Sequence, residues 1–375
     1  MRFLKLKIPL AKPVFDNEMK DAALDALQNE RFVLGESVFK FEEEFARYCG
    51  VKYAVSTSSG TNALQLSLLA LGVRGDDHII TTPFSFIATA NAALHVDALP
   101  VFSDVELNTY NIDPGAIKKK IDKNTRVIIP VHLYGFPADM NQILEYSQEK
   151  GLFVVEDACQ AHGAEYYGQK VGSIGDVGCF SFYPSKNMTV CGDGGMVVTN
   201  NEEIAEKVAK LRDCGRVSHY EHDLIGFTAR LNTVNAAIGR VQLRRLDEWN
   251  RKRREHAELY NRLLSGIEGV ILPPRECSGI KPVYHLYVIR TKFRDQLKDW
   301  LEKNGIQCGI HYPIPIHLQP VYRRLFGYRR GDFPNSELLS DTVLSLPMFP
   351  DLTREEIEYI CEKVNEFFIK KDRTV

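Results

Sequence analysis

The chain has 375 residues, of which 44% are hydrophobic and 26% are charged, which is typical of a globular protein and excludes a disordered or fibrous one. This length exceeds what one hydrophobic core usually organises, so we expect two domains. The 47 Lys and Arg against 49 Asp and Glu give a net charge of −2. Neither a nucleic acid nor an anionic membrane is therefore expected as a partner.

The N-terminal segment and the cysteines indicate a cytoplasmic protein. Lys5, Lys7 and Pro9 interrupt the first apolar run before the core of a signal peptide could form. No apolar stretch approaches the roughly 18 residues of a membrane span. The eight cysteines form no paired motif, and a chain of this size does not depend on disulfides. We expect reduced thiols and a cytoplasmic location.

Short apolar, β-branched segments alternate with helix-like segments over the first 250 residues. The predicted strands cover residues 54–55, 78–80, 99–102, 126–131 and 151–155. Helical spacing of apolar residues predicts helices over 61–71 and 204–211, each followed by a glycine. This alternation predicts an α/β fold with a central sheet and helical crossovers.

The character of the sequence changes near residue 245. Residues 244–264 indicate one long charged helix, which predicts a large domain over 1–245 and a smaller C-terminal α+β domain over 246–375. The smaller part carries a predicted strand at 284–290 and helices at 295–304 and 354–368. The basic cluster 251–254 alternates with acidic residues, which favours a solvated, salt-bridged face over a nucleic-acid site.

Several catalytic motifs are absent from the sequence. There is no Walker phosphate loop, dinucleotide glycine fingerprint, HExxH or paired CxxC, which argues against nucleotide hydrolysis, hydride transfer and zinc hydrolysis. His219 with His222, and Cys308 with His311 and His317, are close enough in sequence to be metal ligands. Loop histidines are more often unliganded, so no metal is predicted.

Two strand ends carry polar residues. In STSSGTNALQL, residues 56–66, a strand passes into a helix through hydroxyl residues and Gly60. Free N–H groups at the helix N-terminus suit a phosphate, although a simple Ser/Thr cap is the alternative. In VVEDACQAHGA, residues 154–164, an apolar strand ends in Glu156 and Asp157. That end of an open sheet binds ligands, and a protonated aromatic nitrogen would suit the carboxylate, with helix capping as the alternative.

Two further stretches carry a lysine and aromatic rings. Lys186 stands among aromatic and small residues in CFSFYPSKN, where desolvation lowers a lysine pKa and makes a Schiff-base nucleophile. In TTPFSFIATANAA, Phe84 and Phe86 follow a strand end, and either ring could be core or could stack on a flat cofactor. A phosphate site, a carboxylate, a lysine and an aromatic ring together are what pyridoxal phosphate needs.

These motifs resemble those of the fold type I, pyridoxal-phosphate-dependent nucleotide-sugar aminotransferases of the DegT type. The resemblance extends from about Arg31 to the C-terminus and includes RFVLGESVFKFEEEFARYCG, SSGTNAL, TPFSFIATANA, EDACQAHGA, SFYPSKN with GDGG, and HYPIPIHLQPVY. It implies a large domain with a mostly parallel central sheet flanked by helices, and a smaller C-terminal α+β domain.

The resemblance also implies a role for each site residue. Lys186 would form the internal aldimine with pyridoxal 5'-phosphate, and Asp157 would pair with the pyridinium nitrogen. Gln160 would lie by the ring hydroxyl and Phe86 would stack on the ring. The phosphate would be held by a glycine and two hydroxyl residues, Gly60, Thr61 and Ser181. A C-terminal loop would lie near the substrate or the partner's site through His311, Tyr312 and His317.

A dimer is implied in the same way. Related enzymes often complete the phosphate site across a dimer interface with an Asn in a GxNxR pattern. Here the stretch is GFTAR, with Thr228 at the Asn position, so either Thr228 or Asn232 would take that contact. Gly226 and Arg230 keep the rest of the pattern, which implies a homodimer with active sites near the interface.

The activity implied is a ping-pong transamination. An amino acid, by resemblance glutamate, would give its amino group to a keto group on a UDP-, dTDP- or GDP-linked hexose. Sugar dehydratases of the family carry His at the position of Lys186, which argues against that branch. A carbon–sulfur lyase of the same fold and a non-catalytic regulatory protein are the remaining alternatives.

Overall fold

The computed structural model describes residues 7–372, with side chains as far as Lys371. Lys5, on which the predicted lack of a signal peptide partly depends, lies outside these residues. Within 7–372, no helix has both the length and the apolar character that crossing a bilayer would require.

Helices and strands alternate between residues 53 and 157, within the part of the chain for which the sequence predicts alternation. The helices are α1 (Asn17–Asn29), α2 (Glu36–Cys49), α3 (Gly60–Ala70), α4 (Ala88–Leu94), α5 (Pro114–Lys118), α6 (Met140–Lys150), α7 (Glu202–Leu211), α8 (Thr233–Leu264), α9 (Arg294–Lys303), α10 (Pro320–Phe326), α11 (Pro334–Thr342) and α12 (Arg354–Asp372). The strands are β1 (Tyr53–Thr57), β2 (His78–Thr81), β3 (Leu99–Phe102), β4 (Thr125–Ile128), β5 (Phe153–Asp157), β6 (Glu165–Tyr166), β7 (Gln169–Lys170), β8 (Val177–Ser181), β9 (Gly195–Thr199), β10 (Ile280–Lys281), β11 (Tyr287–Arg290) and β12 (Val343–Leu346).

A seven-stranded sheet forms the centre of the molecule, in the order β1-β9-β8-β5-β4-β2-β3. The pairs from β8 to β3 are parallel, whereas β9 runs antiparallel to both β8 and β1. The mostly parallel α/β sheet predicted from the sequence is thus confirmed. Each predicted strand in this sheet matches an observed one to within a few residues.

Both faces of the sheet are covered by helices. Successive strand residues point to opposite faces, so each strand contributes side chains to two hydrophobic clusters. Val154 belongs to a buried cluster that contains Phe41 of α2 and Ile143 of α6. The next residue, Val155, belongs to a second cluster with Leu64 of α3. The strand ends of a sheet buried on both faces are the places where polar residues can reach solvent and ligands.

Helix α8 begins at Thr233, earlier than the predicted helix over 244–264. Its first turns are buried and rich in small residues, including Ala236 and Gly239. A Cβ on Gly239 would lie 2.8 Å from the Phe41 ring, so glycine allows α8 to approach α2 closely. Only the second part of α8 has the charged sequence pattern from which the helix was predicted, and the predicted start is therefore 11 residues too late.

The C-terminal part has its own core, formed by α9, α12 and the antiparallel pair β11 and β12 around Tyr287. Tyr260 and Leu264, near the end of α8, pack in this core, whereas Leu243 and Leu246 belong to the core beside the large sheet. The predicted boundary at residue 245 falls inside this continuous helix and stays a prediction. Ile8, from the N-terminal segment, also packs in the C-terminal core.

The basic run at 251–254 does not form a continuous positive surface. Arg251 pairs with Glu255 at 2.5 Å, and Lys252 lies 3.2 Å from Glu248. Arg253 points inward, where burial lowers its pKa to about 10. The structure therefore agrees with the salt-bridged face predicted for this helix.

Gly178 of β8 provides a test of the packing beneath the site. A Cβ at this position would lie 2.1 Å from the carbonyl oxygen of Gly172, a backbone atom that cannot rotate away. We predict that Gly178→Ala lowers the free energy of unfolding by about 1–3 kcal/mol. Gly75→Ala is the matched control, since the nearest atom to its Cβ would be 3.7 Å away. It should change stability by no more than about 0.5 kcal/mol in chemical denaturation. Equal effects of both substitutions would contradict this packing.

Candidate functional site

A cavity of about 500 Å³ lies at the carboxyl ends of the sheet strands. The structure brings nine of the predicted site residues together in its wall: Gly60, Thr61, Phe86, Asp157, Gln160, Ser181, Lys186, His311 and Tyr312. These residues come from five separate parts of the chain. Their convergence makes this cavity the candidate active site.

The N-terminus of α3 forms one wall of the cavity. The helix starts at Gly60, and the side chain of Ser59 caps it by accepting a hydrogen bond from the Asn62 N–H at 3.1 Å. A Cβ on Gly60 would lie 2.7 Å from Cys159 Sγ and 2.8 Å from Ser181 Cβ. Only glycine therefore lets the helix start directly against the end of β8. The N–H groups of this first turn are oriented as an anion site requires.

Asp157 occupies the carboxyl end of β5 and is 5% exposed. Thr89 Oγ1 donates to its Oδ2 at 2.7 Å, and the Cys159 N–H donates to its Oδ1 at 3.2 Å. A hydroxyl has one proton, so the Ser85 hydroxyl, 3.2 Å from Thr89, donates to Thr89 in turn. Each carboxylate oxygen has one protein donor and retains acceptor capacity towards the cavity.

Glu156 points to the opposite face of β5, so the two adjacent carboxylates have separate surroundings. It is fully buried and accepts hydrogen bonds at 2.6–2.7 Å from three backbone N–H groups between residues 172 and 175. His132 Nε2 lies 2.9 Å away, and His132 Nδ1 accepts from the Ala138 N–H. The proton of this imidazole is therefore on Nε2, where it donates to Glu156. Glu156 anchors the loop beneath β8 and does not line the cavity.

Lys186 lies in the loop that follows β8 and lines the cavity. Burial lowers the pKa of its ammonium group, while Cys159 and Asp157 oppose that shift. The next residue fixes the loop, since Asn187 Nδ2 donates to Asn250 Oδ1 at 2.8 Å and to the Val283 carbonyl at 3.0 Å. A desolvated lysine on an anchored loop is more readily deprotonated and is therefore more nucleophilic.

Gln160 and Tyr312 form the side of the cavity opposite α3. Gln160 Nε2 donates to Tyr312 Oη at 3.1 Å, and Gln160 Oε1 accepts from the Tyr134 N–H at 3.0 Å. The Tyr134 hydroxyl donates to the His311 carbonyl. The rings of Tyr312 and Phe86 lie 6.2 Å apart. This network holds the 311–312 loop against the cavity, with Phe86 exposed at its edge and Phe84 buried in the core.

Three residues with predicted roles lie outside the cavity. His317 is fully buried, and its Nε2 lies 3.0 Å from Glu337 Oε1, so packing and a polar contact in the C-terminal region account for it. Thr228 and Asn232 are exposed and do not line the cavity. The contact predicted for Thr228 or Asn232 across a dimer interface stays a prediction.

Buried histidines surround the site. Burial, followed by the charge of Lys186, lowers the pKa of His162 to about 3 and that of His311 to about 4. The same two causes, with smaller contributions from Arg253 and neighbouring histidines, hold the pKa of His285 well below its usual value. These rings are therefore neutral at pH 7 and add no positive charge to the site.

Three further residues at the site, Thr89, Tyr134 and His285, are not predicted from the sequence. Thr89 is within the TTPFSFIATANAA stretch and one helical turn beyond Phe86, so its spacing from Phe86 was a signal that could have identified it as a site residue. Tyr134 and His285 contribute through contacts distant in sequence, for which no local motif exists. Within residues 7–372, no group of three or more His, Cys, Asp or Glu side chains is arranged to hold a metal.

Comparison with known proteins gives one family. The profile of the DegT/DnrJ/EryC1/StrS aminotransferase family matches residues 13–365. A UDP-N-acetyl-3-dehydro-alpha-D-glucosamine 3-aminotransferase from Acidithiobacillus ferrooxidans is 43% identical over 89% of both chains. A dTDP-3-amino-3,4,6-trideoxy-alpha-D-glucose transaminase from Streptomyces venezuelae is 40% identical over 94% of this chain and 93% of its own. A pleiotropic regulatory protein from Geobacillus stearothermophilus is 42% identical over 92% of both.

The fold is also similar to a solved structure. The crystal structure of DesV from S. venezuelae, in complex with a ketimine intermediate, superposes with a TM-score of 0.91 at 39% identity and covers 94% of both chains. The similarity therefore includes both the large sheet and the C-terminal part.

The lowered pKa of His162 predicts a pH dependence of stability. The unfolded chain binds a proton near pH 6.5 and the folded one only near pH 3, so stability is complete above pH 6.5 and falls as the pH drops below it. We predict that His162→Phe, whose ring fits between Phe180 and Phe182, removes roughly 1.4 kcal/mol per pH unit from this loss. Urea denaturation of both proteins at pH 7.5 and 4.5 measures the difference. Parallel losses in the two proteins would show that His162 does not titrate in this way.

Proposed function

Because its sequence matches the family profile over residues 13–365, this chain belongs to the DegT/DnrJ/EryC1/StrS aminotransferase family, and we propose that it moves the amino group of glutamate to a keto group on a nucleotide-linked hexose. The single observation that supports this most strongly is the convergence of Lys186, Asp157 and the N-terminus of α3 on one cavity. The identity of the donor, the nucleotide and the carbon that is aminated belong to the proposal.

The family and the enzyme class are established by the comparisons. The chain is a pyridoxal-phosphate-dependent sugar aminotransferase, so the family, the enzyme class and the cofactor predicted from the sequence are confirmed. This outcome disfavours the non-catalytic alternative, for which the basic run at 251–254 was the only feature in the sequence. The cytoplasmic location expected from the sequence stays a prediction.

The residues of the cavity fit the cofactor. Gly60 begins α3 at the cavity wall, where the free N–H groups of the first turn suit a phosphate and Thr61 and Ser181 offer hydroxyl groups. Asp157 keeps acceptor capacity for a protonated ring nitrogen, and exposed Phe86 offers an aromatic face. Lys186 is the amine that would hold the cofactor aldehyde. When bound, pyridoxal phosphate supplies a carbonyl for amino groups and a ring that accepts electrons from the adjacent carbon.

Two groups of this chain would manage the protons. Lys186, with its lowered pKa, is suited to remove a proton from the substrate carbon and return it. Asp157 remains an acceptor because Thr89 and the Cys159 N–H hold its two oxygens in place. A carboxylate fixed in this way keeps a proton on a ring nitrogen beside it.

The charge of the cavity supports a homodimer. Among the described residues that line it, Lys186 is the only lysine or arginine, beside Asp157 and Asp193. Glutamate and a nucleotide diphosphate carry several negative charges, and binding them requires cations. A second subunit would supply these charges. Ile225, next to the GFTAR stretch, is 94% exposed and Phe32 is 67% exposed, as expected of apolar residues that a partner covers.

We predict that size-exclusion chromatography with light scattering gives a mass of about twice 42.6 kDa. Ile225→Glu should weaken the dimer at least about tenfold, because a charge would enter an apolar contact. Ile369→Glu, at an exposed apolar position on α12, is the control and should leave the mass unchanged. A monomeric wild-type protein with full activity would contradict the proposed dimer.

Glutamate addition tests the donor and the lysine. We predict that the yellow wild-type protein bleaches with glutamate, and that Lys186→Ala does not, because the variant lacks the amine that moves the proton. Lys207→Ala, which removes a surface lysine paired with Glu203, is the control and should bleach like the wild type. The absorbance spectrum measures both results. Normal turnover by Lys186→Ala would contradict the assignment of the lysine.

The acceptor is identified by running the reaction in reverse. The purified protein is incubated with 2-oxoglutarate and, separately, with UDP-, dTDP- and GDP-linked amino sugars. Formation of glutamate with one of them supports the proposed function and gives the nucleotide and the aminated carbon. If none of them yields glutamate while glutamate still bleaches the protein, the nucleotide-sugar acceptor is wrong and the aminotransferase assignment stands.

A further inference from the structure

His285 lines the catalytic cavity, yet the protein leaves its ring without a hydrogen bond. The residue is 6% exposed, and its Nδ1 is buried without a partner. Across residues 7–372, the structure shows no side-chain hydrogen bond to either ring nitrogen. Because Nδ1 is enclosed by protein, a ligand in the cavity can complete only the contacts of Nε2, which also lacks a partner.

The backbone holds this ring in place. Arg253 donates to the carbonyl oxygens of Tyr284 and His285 at 3.2 and 3.3 Å. Two residues earlier, the Val283 N–H donates to the Gly135 carbonyl at 3.0 Å. These contacts fix the position of the imidazole without using its nitrogens. A rigid side chain with free polar atoms is pre-organised to bind a substrate group.

The charge of the ring limits what it can bind. Its ionised form is disfavoured first by burial and then by Lys186, Arg253, His311 and His162, which face it from four different segments. The neutral ring offers one N–H and one lone pair. A carboxylate or phosphate is bound more strongly by a cation than by a neutral ring, whereas a hydroxyl group can both donate to and accept from a neutral imidazole. The neutral imidazole therefore suits the uncharged part of a substrate.

We propose that Nε2 of His285 hydrogen-bonds a hydroxyl group of the hexose in the acceptor substrate. Nδ1 is enclosed by protein, so Nε2 is the nitrogen that faces the cavity. The residue would then serve the sugar half of the reaction and not the amino-acid half, whose substrates are dicarboxylates. This inference rests on the proposed nucleotide-sugar acceptor and adds a residue that selects for the sugar itself.

Calorimetry with the holoenzyme tests the contact through three ligand pairs: dTDP-glucose with dTDP, UDP-N-acetylglucosamine with UDP, and GDP-mannose with GDP. His285→Leu removes both nitrogens, whereas His285→Gln places an amide close to the position of Nε2. We expect His285→Leu to weaken binding of the sugar-bearing ligands about tenfold and to leave binding of the free nucleotides unchanged. His285→Gln should bind the sugar-bearing ligands within about threefold of the wild type.

The rate of bleaching by glutamate separates this contact from a structural role. His285→Leu should reduce this rate less than it reduces binding of the sugar-bearing ligands, because only the sugar makes the proposed contact. Unchanged binding of the sugar ligands by His285→Leu, or an equal loss for sugar ligands, free nucleotides and glutamate, would overturn the inference. If His285→Leu does not fold, a loss of more than about tenfold in His285→Gln would overturn it as well. A wild-type protein that binds none of the six ligands overturns the proposed acceptor, and this inference with it.

Discussion

Two adjacent carboxylates on β5, pointing to opposite faces of the sheet, are the constraint on which the site depends. Glu156 accepts hydrogen bonds from three backbone N–H groups in the loop at 172–175. That loop precedes β8, and β8 leads into the loop that carries Lys186. Asp157, one residue further, faces the cavity. The two-residue period of the strand therefore lets one adjacent pair both anchor the loop before β8, through Glu156, and place a carboxylate in the cavity, through Asp157.

The described residues that line the cavity include few charged side chains. Neutral histidines and hydroxyl groups surround Lys186, so the lysine is the sole cationic side chain that the described residues contribute to the lining. Burial favours the neutral amine of Lys186, because loss of solvation penalises the ammonium form. The same arrangement leaves anionic substrates without counter-charges from this chain. In the proposed dimer, Lys186 would carry out the chemistry, and the second subunit would supply the cations that bind the anionic substrates.

Much of this could be predicted from the sequence, because the strands of the large sheet and the residues at their ends follow local patterns. Lys186, Asp157 and Gly60 lie within short motifs, and each was placed in the cavity by the strand it follows. The start of α8 was not predicted, since a buried helix rich in small residues lacks an amphipathic pattern. The surroundings of His285 and His317 could not be predicted, because they come from residues distant in sequence, such as Arg253 and Glu337.

Helix α8 has 32 residues and contributes side chains to two hydrophobic cores. Leu246 packs beside the large sheet, and Tyr260 packs in the C-terminal core on the same continuous helix. Melting either core would expose part of α8 and break its hydrogen-bonded ladder, which the other core also needs. The free energies of the two parts are therefore linked, and the chain should lose its structure in one cooperative transition instead of one domain at a time.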